Sequence, residues 1–362
     1  MREHGGNIYE KCRENRCAPC AIIDFSASIN PKGMPRAAVA AIKEHIALVP
    51  HYPEPYAESL VSAIARHYRI NPGSVICGNG STELIYLLPK VLKPKRVLVT
   101  APAFSEYERA CSMNSGASVV RYALRREDNF AVDPEAFINA MAGRHSGKRG
   151  PKCELVFLCN PHNPTGRLVK KRAILKIADA ARKLRCYFVV DEAFIDFCAD
   201  GSVIRSVAKN PYLVVLRSMT KFYALAGLRL GFGVFPAKLA EQLKQCKEPW
   251  SVNNLALAAG KVLLSDLAYR EASLALIARE KRFLERCFKG LGIAYWPSDA
   301  NYYLLHLRNA GSVIGALDKK GILVRDCANF EGLGRGYVRI AVRSRQENAR
   351  LMEEVAQLCR AS

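Results

Sequence analysis

From about residue 75 onward the chain alternates two textures: short apolar, β-branched runs, and longer stretches in which apolar positions return every three or four residues. The runs "RVLVTAPAF" (96–104), "ELVFLCN" (154–160), "CYFVVDEAF" (186–194), "YLVVLRS" (212–218) and "LRLGFGVF" (228–235) have the near-continuous hydrophobicity of strands buried on both faces. Between them, "KKRAILKIADAARKL" (170–184) has the period of an amphipathic helix. Strand and helix alternating in this way predict an α/β fold with a mostly parallel sheet.

After about residue 265 the texture changes. A long charged helix, "DLAYREASLALIAREKRFLERCFKGL" (266–291), precedes shorter strand candidates at "NYYLLHL" (301–307), "GILVRD" (321–326) and "GYVRIAV" (336–342), and a closing helix starts at Gln346. The expected division is an N-terminal arm that contributes to the small domain (1–47), a large domain (48–265) and a C-terminal small α+β domain (266–362).

Composition narrows the class of protein. With 362 residues, half of them hydrophobic and 24% charged, the chain can bury a large core. No apolar run approaches the ~20 residues that span a bilayer, and the polar start "MREHGGNIYEKCRENRC" does not resemble a signal peptide. A cytoplasmic address and no membrane partner are expected. The thirteen cysteines are odd in number and scattered, as thiols in a reducing compartment are. Cys12, Cys17 and Cys20 have the C-x4-C-x2-C spacing of some iron–sulfur sites, but no nearby fourth ligand completes it, so no metal is expected. The formal net charge of +21 implies a field that draws anions. Lys and Arg are spread along the whole chain without a zinc-finger, RNA-recognition or basic-zipper pattern, which argues against nucleic acid as partner. A phosphorylated small molecule fits the charge, which also serves solubility.

Ligands of open α/β sheets bind at the carboxyl ends of the strands, so the chemistry is sought there. "GNGSTE" (78–83) carries glutamate where a dinucleotide fingerprint needs its third glycine, and no P-loop exists, so neither NAD nor ATP is favoured. A glycine turn with Ser81 and Thr82 at a helix start suits one phosphate, or is a plain helix cap. "LCNPHNPTG" (158–166) is a rigid turn offering asparagine amides. In "VVDEAF" (189–194), Asp191 ends a β-branched run and needs a cationic partner. "SMTKFYALAGLRLGF" (218–232) places Lys221 and then Arg229 at strand ends, and a buried lysine matched to a carbonyl compound forms Schiff bases. An acid for a pyridinium nitrogen, a glycine-turn phosphate site and a lysine together describe a pocket for pyridoxal 5'-phosphate.

On these motifs the chain resembles, over nearly its whole length, the fold-type I pyridoxal phosphate enzymes with aspartate-aminotransferase architecture. The resemblance implies that Lys221 bonds the cofactor covalently and that Asp191 pairs with its pyridine nitrogen, these two being the catalytic residues. Asn163 would hydrogen-bond the cofactor's phenolic oxygen and face the substrate. Ser81, Thr82, Ser218, Arg229 and the Gly80 backbone would hold its phosphate, with Phe104 stacked on its ring. Tyr52 in "HYPEPY" matches a tyrosine that reaches the neighbouring subunit's site, which implies a homodimer, and Arg339 matches the arginine that binds the substrate carboxylate. Within the family the chain resembles the threonine-phosphate decarboxylases of cobalamin biosynthesis through "HGGN" (4–7), "DFSASINPKG" (24–33), "APAFSEYE" (101–108), "DEAFIDF" (191–197) and "GILVRDCANFEGLG" (321–334). That implies decarboxylation of L-threonine O-3-phosphate, with His4, Asn30 and Arg325 binding the substrate phosphate. Histidinol-phosphate aminotransferases share much of this scaffold and are the alternative. In one departure, Phe194 stands where many relatives carry a tyrosine that donates to the cofactor's phenolic oxygen.

Overall fold

The buried runs form a seven-stranded sheet. In the computed structural model, which describes residues 4–16, 18–145 and 147–360, the strands lie in the order Val75–Asn79, Leu230–Val234, Leu213–Ser218, Tyr187–Asp191, Leu155–Cys159, Arg96–Ala101 and Ser118–Ala123. Leu230–Val234 runs antiparallel to both of its neighbours, and the other adjacent pairs are parallel. All five sequence-predicted strands are present. Val75–Asn79 and Ser118–Ala123 are additional, and they are the two edge strands. Every residue of Leu155–Cys159 and Leu213–Ser218 is buried, as two covered faces require.

Helices cover both faces of this sheet and divide the apolar side chains into two clusters, one on each side. Helix Lys171–Leu184 shows how the pattern works: Ile174, Ile177, Ala178 and Ala181 are buried on one stripe, and Arg185 closes the helix in a left-handed conformation.

A second sheet of four strands, in the order Ala294–Tyr295, Tyr302–His306, Tyr337–Ala341 and Arg325–Asp326, is wholly antiparallel. It packs with helix Leu267–Gly290 and the closing helix Arg345–Arg360 around its own apolar cluster. The N-terminal segment joins this part of the molecule, since strand Ile23–Asp24 pairs in parallel with Ile322–Leu323. Of the spaced cysteines, Cys12 is buried beside Ile22 and Leu323, whereas Cys17 and the side chain of Cys20 lie outside the described residues. Among the described residues no helix is long and apolar enough to cross a membrane.

Behind the carboxyl edge of the large sheet lies a buried ion cluster. The Arg217 guanidinium donates to Glu192 at 3.2 Å, to the Tyr68 hydroxyl at 3.1 Å and to Asp196, and its side chain is only 3% exposed. Burial alone pushes the Glu192 carboxyl up, and Arg217 opposes it. Glu192 directly follows Asp191 and Arg217 directly precedes Ser218, so the cluster braces two strand ends whose next residues face the other way. Replacing Arg217 by leucine strands two buried carboxylates, and should cost about 3–5 kcal/mol of stability, read as a lowered midpoint in denaturant unfolding followed by circular dichroism.

Candidate active site

The strand ends converge because of register. Asp191 pairs with Cys159 on one side and Leu216 on the other, while Gly231 pairs with Ser218 and Leu230 with Asn79. Arg229 therefore enters the same edge from the start of an antiparallel strand. Two glycines make this possible. A Cβ on Gly231 would lie 2.3 Å from the Ser81 amide nitrogen, and Gly80 has φ +71° with Arg229 Nη2 only 2.5 Å from the position a Cβ would take.

A cavity of about 270 Å³ opens at this edge. Its walls include Gly80, Ser81, Thr82, Phe104, Asn163, Asp191, Ser218, Lys221, Arg229, Arg325, Arg339 and His4, so most of the sequence-predicted residues are brought together. Helix Gly80–Leu92 begins at the cavity; the Asn79 side chain makes no capping bond, while the Glu83 carboxylate accepts from the Asn79 amide at 2.6 Å. The Gly80 amide, expected to face a phosphate, instead donates to the Arg229 carbonyl at 2.8 Å, so the amides and hydroxyls of Ser81 and Thr82, with the Arg229 side chain, form the cradle for an anion.

Asp191 is 3% exposed. Its oxygens accept from the Tyr107 hydroxyl at 2.6 Å and from the Ala193 amide at 3.0 Å. Burial raises its pKa, against the pull of Tyr107, Ala193 and Lys221. Such a carboxylate is suited to a cationic ring N–H. Lys221 opens onto the cavity yet is enclosed by protein. Burial first, then Arg339 and Arg229, lower its amine to about 8.

The facing wall comes from the small sheet. Arg325 and Arg339 are direct register partners, so both guanidinium groups project from one face. Arg339 donates to the Asn163 side-chain carbonyl and, at 2.9 Å, to the Ser26 carbonyl, and lies over the Tyr302 ring. With its carbonyl engaged in this way, the Asn163 amide nitrogen is the group left to donate to a ligand. Arg339 Nε is buried and has no hydrogen-bond partner among the described residues. Arg325 donates to Asn329 at 2.8 Å and stacks over Phe330.

Two expected residues lie elsewhere. Asn30 does not line the cavity. Its buried side-chain amide donates to the Phe222 carbonyl, the Tyr269 hydroxyl and the Ser273 hydroxyl, and its backbone amide donates to the Lys221 carbonyl. It is a support for the lysine turn rather than a substrate ligand. Tyr52 lies outside the cavity, 84% exposed and 5.4 Å from the Trp250 ring. Sequence reasoning missed Tyr107, which stands three residues after Phe104, one helical turn on. It also missed Ser26, Thr220 and Asn329 on the cavity wall. Phe194 does line the cavity, edge-on to Tyr302 at 4.9 Å.

Comparison with known proteins agrees with this geometry. The model of the family described as aminotransferase class I and II matches residues 21–355. Threonine-phosphate decarboxylase of Salmonella typhimurium is 37% identical over 353 residues, which are 96% of this chain and 94% of that protein. Histidinol-phosphate aminotransferase of Symbiobacterium thermophilum is 35% identical over 336 residues, 92% of this chain and 89% of the relative. Among solved structures, L-threonine-O-3-phosphate decarboxylase from Porphyromonas gingivalis superposes with a TM-score of 0.79 at 25% identity, covering 93% of this chain and 99% of that one. With the family model spanning most of the chain and these relatives matching nearly all of it, the chain belongs to the class I and II aminotransferase family.

Proposed function

We propose that the chain is a pyridoxal 5'-phosphate-dependent decarboxylase. It converts L-threonine O-3-phosphate to (R)-1-amino-2-propanol O-2-phosphate and carbon dioxide, supplying the aminopropanol arm of the cobalamin nucleotide loop. The observation that carries this reading is the charge of the cavity. Lys221, Arg229, Arg325 and Arg339 line it together with His4, and Asp191 is the one carboxylate among the described lining residues. That surplus matches a cofactor phosphate plus a substrate bearing both a carboxylate and a phosphate.

The residues fit the cofactor. The helix start at Ser81 and Thr82 and Arg229 suit its phosphate, Asp191 its ring nitrogen, the Asn163 amide its phenolic oxygen and Phe104 its ring face. When bound, the cofactor supplies a conjugated ring that accepts the electron pair released at the reacting carbon. Lys221 would attach it through an amine lowered to about 8, which is still mostly protonated at pH 7 but loses its proton far more readily than an ordinary lysine. Arg339 takes the substrate carboxylate in a bidentate grip, while Arg325 and His4 hold the phosphate. Fixing both ends of the substrate decides which bond at the α-carbon is aligned for cleavage, a use of remote binding energy for orientation. As carbon dioxide leaves, Lys221 returns a proton to that carbon.

The enzyme acts as a cytoplasmic homodimer in this reading. Ile46, Val49, Tyr52, Tyr56 and Trp250 are all exposed, and Trp250 is tied to this segment by the hydrogen bond its backbone N–H donates to the Pro55 carbonyl, which leaves an apolar face suited to a second copy. Matches at similar identity to histidinol-phosphate aminotransferases keep transamination as the second reading.

Four outcomes are expected. Borohydride reduction followed by peptide mapping places the pyridoxyl label on Lys221, and Lys221→Ala lowers turnover on the order of a thousandfold or more. Threonine phosphate alone releases carbon dioxide. Glutamate formed efficiently from histidinol phosphate and 2-oxoglutarate, with no carbon dioxide from threonine phosphate, would replace the decarboxylase by the aminotransferase. Phe194→Tyr offers a new donor to the phenolic oxygen, so the pH midpoint of the bound cofactor's absorbance falls, since an anion gains a hydrogen bond.

A further inference from the structure

The N-terminal arm reaches the cavity by a path that only glycine permits. A Cβ on Gly5 would stand 2.3 Å from the Ser26 carbonyl oxygen, and Gly6, at φ +86°, donates its amide to Ser26 Oγ at 2.8 Å. Ser26 is itself held: its hydroxyl donates to Asp24 at 2.6 Å, and its carbonyl accepts from Arg339. The arm thus presents His4 on the same wall as the two arginines. His4 lines the main cavity and also a second cavity of about 220 Å³ next to it, bounded by Arg325, Asp326 and Asn329.

The His4 ring is tethered on its far side. Nε2 lies 2.8 Å from Glu106 Oε1, and the ring sits 5.5 Å from that of Phe104. Glu106 belongs to the first turn of helix Ser105–Ser115, where a carboxylate is favoured, and its side chain is 9% exposed. Its other oxygen accepts from the Tyr86 hydroxyl at 2.5 Å, and Arg109 approaches to 3.9 Å. Glu106 does not line the cavity. No partner for His4 Nδ1 occurs among the described residues.

We propose that Glu106 is a positioning residue that holds His4, through Nε2, as an imidazolium whose Nδ1–H is left to donate to the substrate's phosphate. The chemistry follows from proton counting. A neutral imidazole that donates from one nitrogen can only accept at the other. A ring that gives Nε2–H to a carboxylate and also donates to a phosphate must carry both protons. The Glu106 carboxylate accepts a hydrogen bond through one of these protons, and the Tyr86 hydroxyl keeps that carboxylate in place. The charged and titratable groups around the ring are Glu106, itself met by Tyr86 and Arg109, and, across the shared cavity, Arg325 and Asp326. Glu106 in this role selects substrates with a dianionic group rather than taking part in bond cleavage.

This inference rests on the phosphate-bearing substrate proposed above, and the test separates the two. Glu106→Gln, His4→Ala and the double variant are compared with the parent holoenzyme, first by KM and kcat for threonine phosphate, then by calorimetric titration with inorganic phosphate. Glu106→Gln should raise KM about tenfold, as loss of one charge-assisted hydrogen bond would, with a much smaller change in kcat. It should weaken inorganic phosphate binding by a similar factor. The double variant should be no worse than His4→Ala alone, because the two residues act as one unit. Unchanged KM and phosphate affinity in Glu106→Gln, or effects that multiply in the double variant, would overturn the proposal. If Glu106→Gln does not fold, Tyr86→Phe decides by the same two readouts, with a smaller loss expected. A parent enzyme that releases no carbon dioxide from threonine phosphate removes the decarboxylase reading, while the phosphate titration still decides the role of Glu106.

Discussion

Most of this architecture depends on placing charge at the edge of a sheet whose strands are otherwise apolar. Asp191 sits at the end of a strand that is buried on both faces, where an ionised carboxylate is costly without partners. Two hydrogen bonds, from Tyr107 and Ala193, hold it without neutralising it. That leaves a carboxylate suited to a cationic ring nitrogen. The same economy governs Lys221, whose amine is lowered by burial and by neighbouring arginines rather than by any reaction partner.

On the opposite face of the same two strands, the charges are satisfied internally. Arg217 gathers Glu192 and Asp196 into a closed cluster with Tyr68. One residue along in each strand the side chain turns over, so a self-contained ion cluster backs a site that is left short of negative charge. The sheet edge is braced from behind while its front remains open to anions. Asn30 also braces the site, donating to the carbonyls of Lys221 and Phe222.

The small sheet supplies the other half of the site. Setting Arg325 directly across from Arg339 places like charges together, an arrangement with a cost unless something shields them. Aromatic faces at Phe330 and Tyr302, and the acceptors Asn329, Asn163 and Ser26, provide part of that shielding. What remains of the positive charge suits the wall to anionic ligands. The N-terminal arm adds His4 to this wall, threaded past Ser26 by two glycines.

The local record in the sequence was strong wherever the physics is local. Five buried strands, the amphipathic helix 170–184 and the positions of Asp191, Lys221 and Arg229 at strand ends all follow from short-range pattern, because a doubly covered strand must be apolar and a charge within it must fall at its end. The edge strands Val75–Asn79 and Ser118–Ala123 were not legible in the same way: the first runs straight into a glycine turn, and the second mixes exposed and half-buried positions. Side-chain partnership was decided only by tertiary structure. Asn30 lies within a motif that points to the substrate, yet its amide is consumed by Phe222, Tyr269 and Ser273, residues 192 to 243 positions away. Tyr107 and Glu106 stand side by side in one turn of helix, but one reaches Asp191 and the other His4, contacts spanning 84 and 102 residues. Sequence spacing constrains which face a residue occupies. Which distant atom meets it there depends on how the sheet, the small domain and the arm pack together.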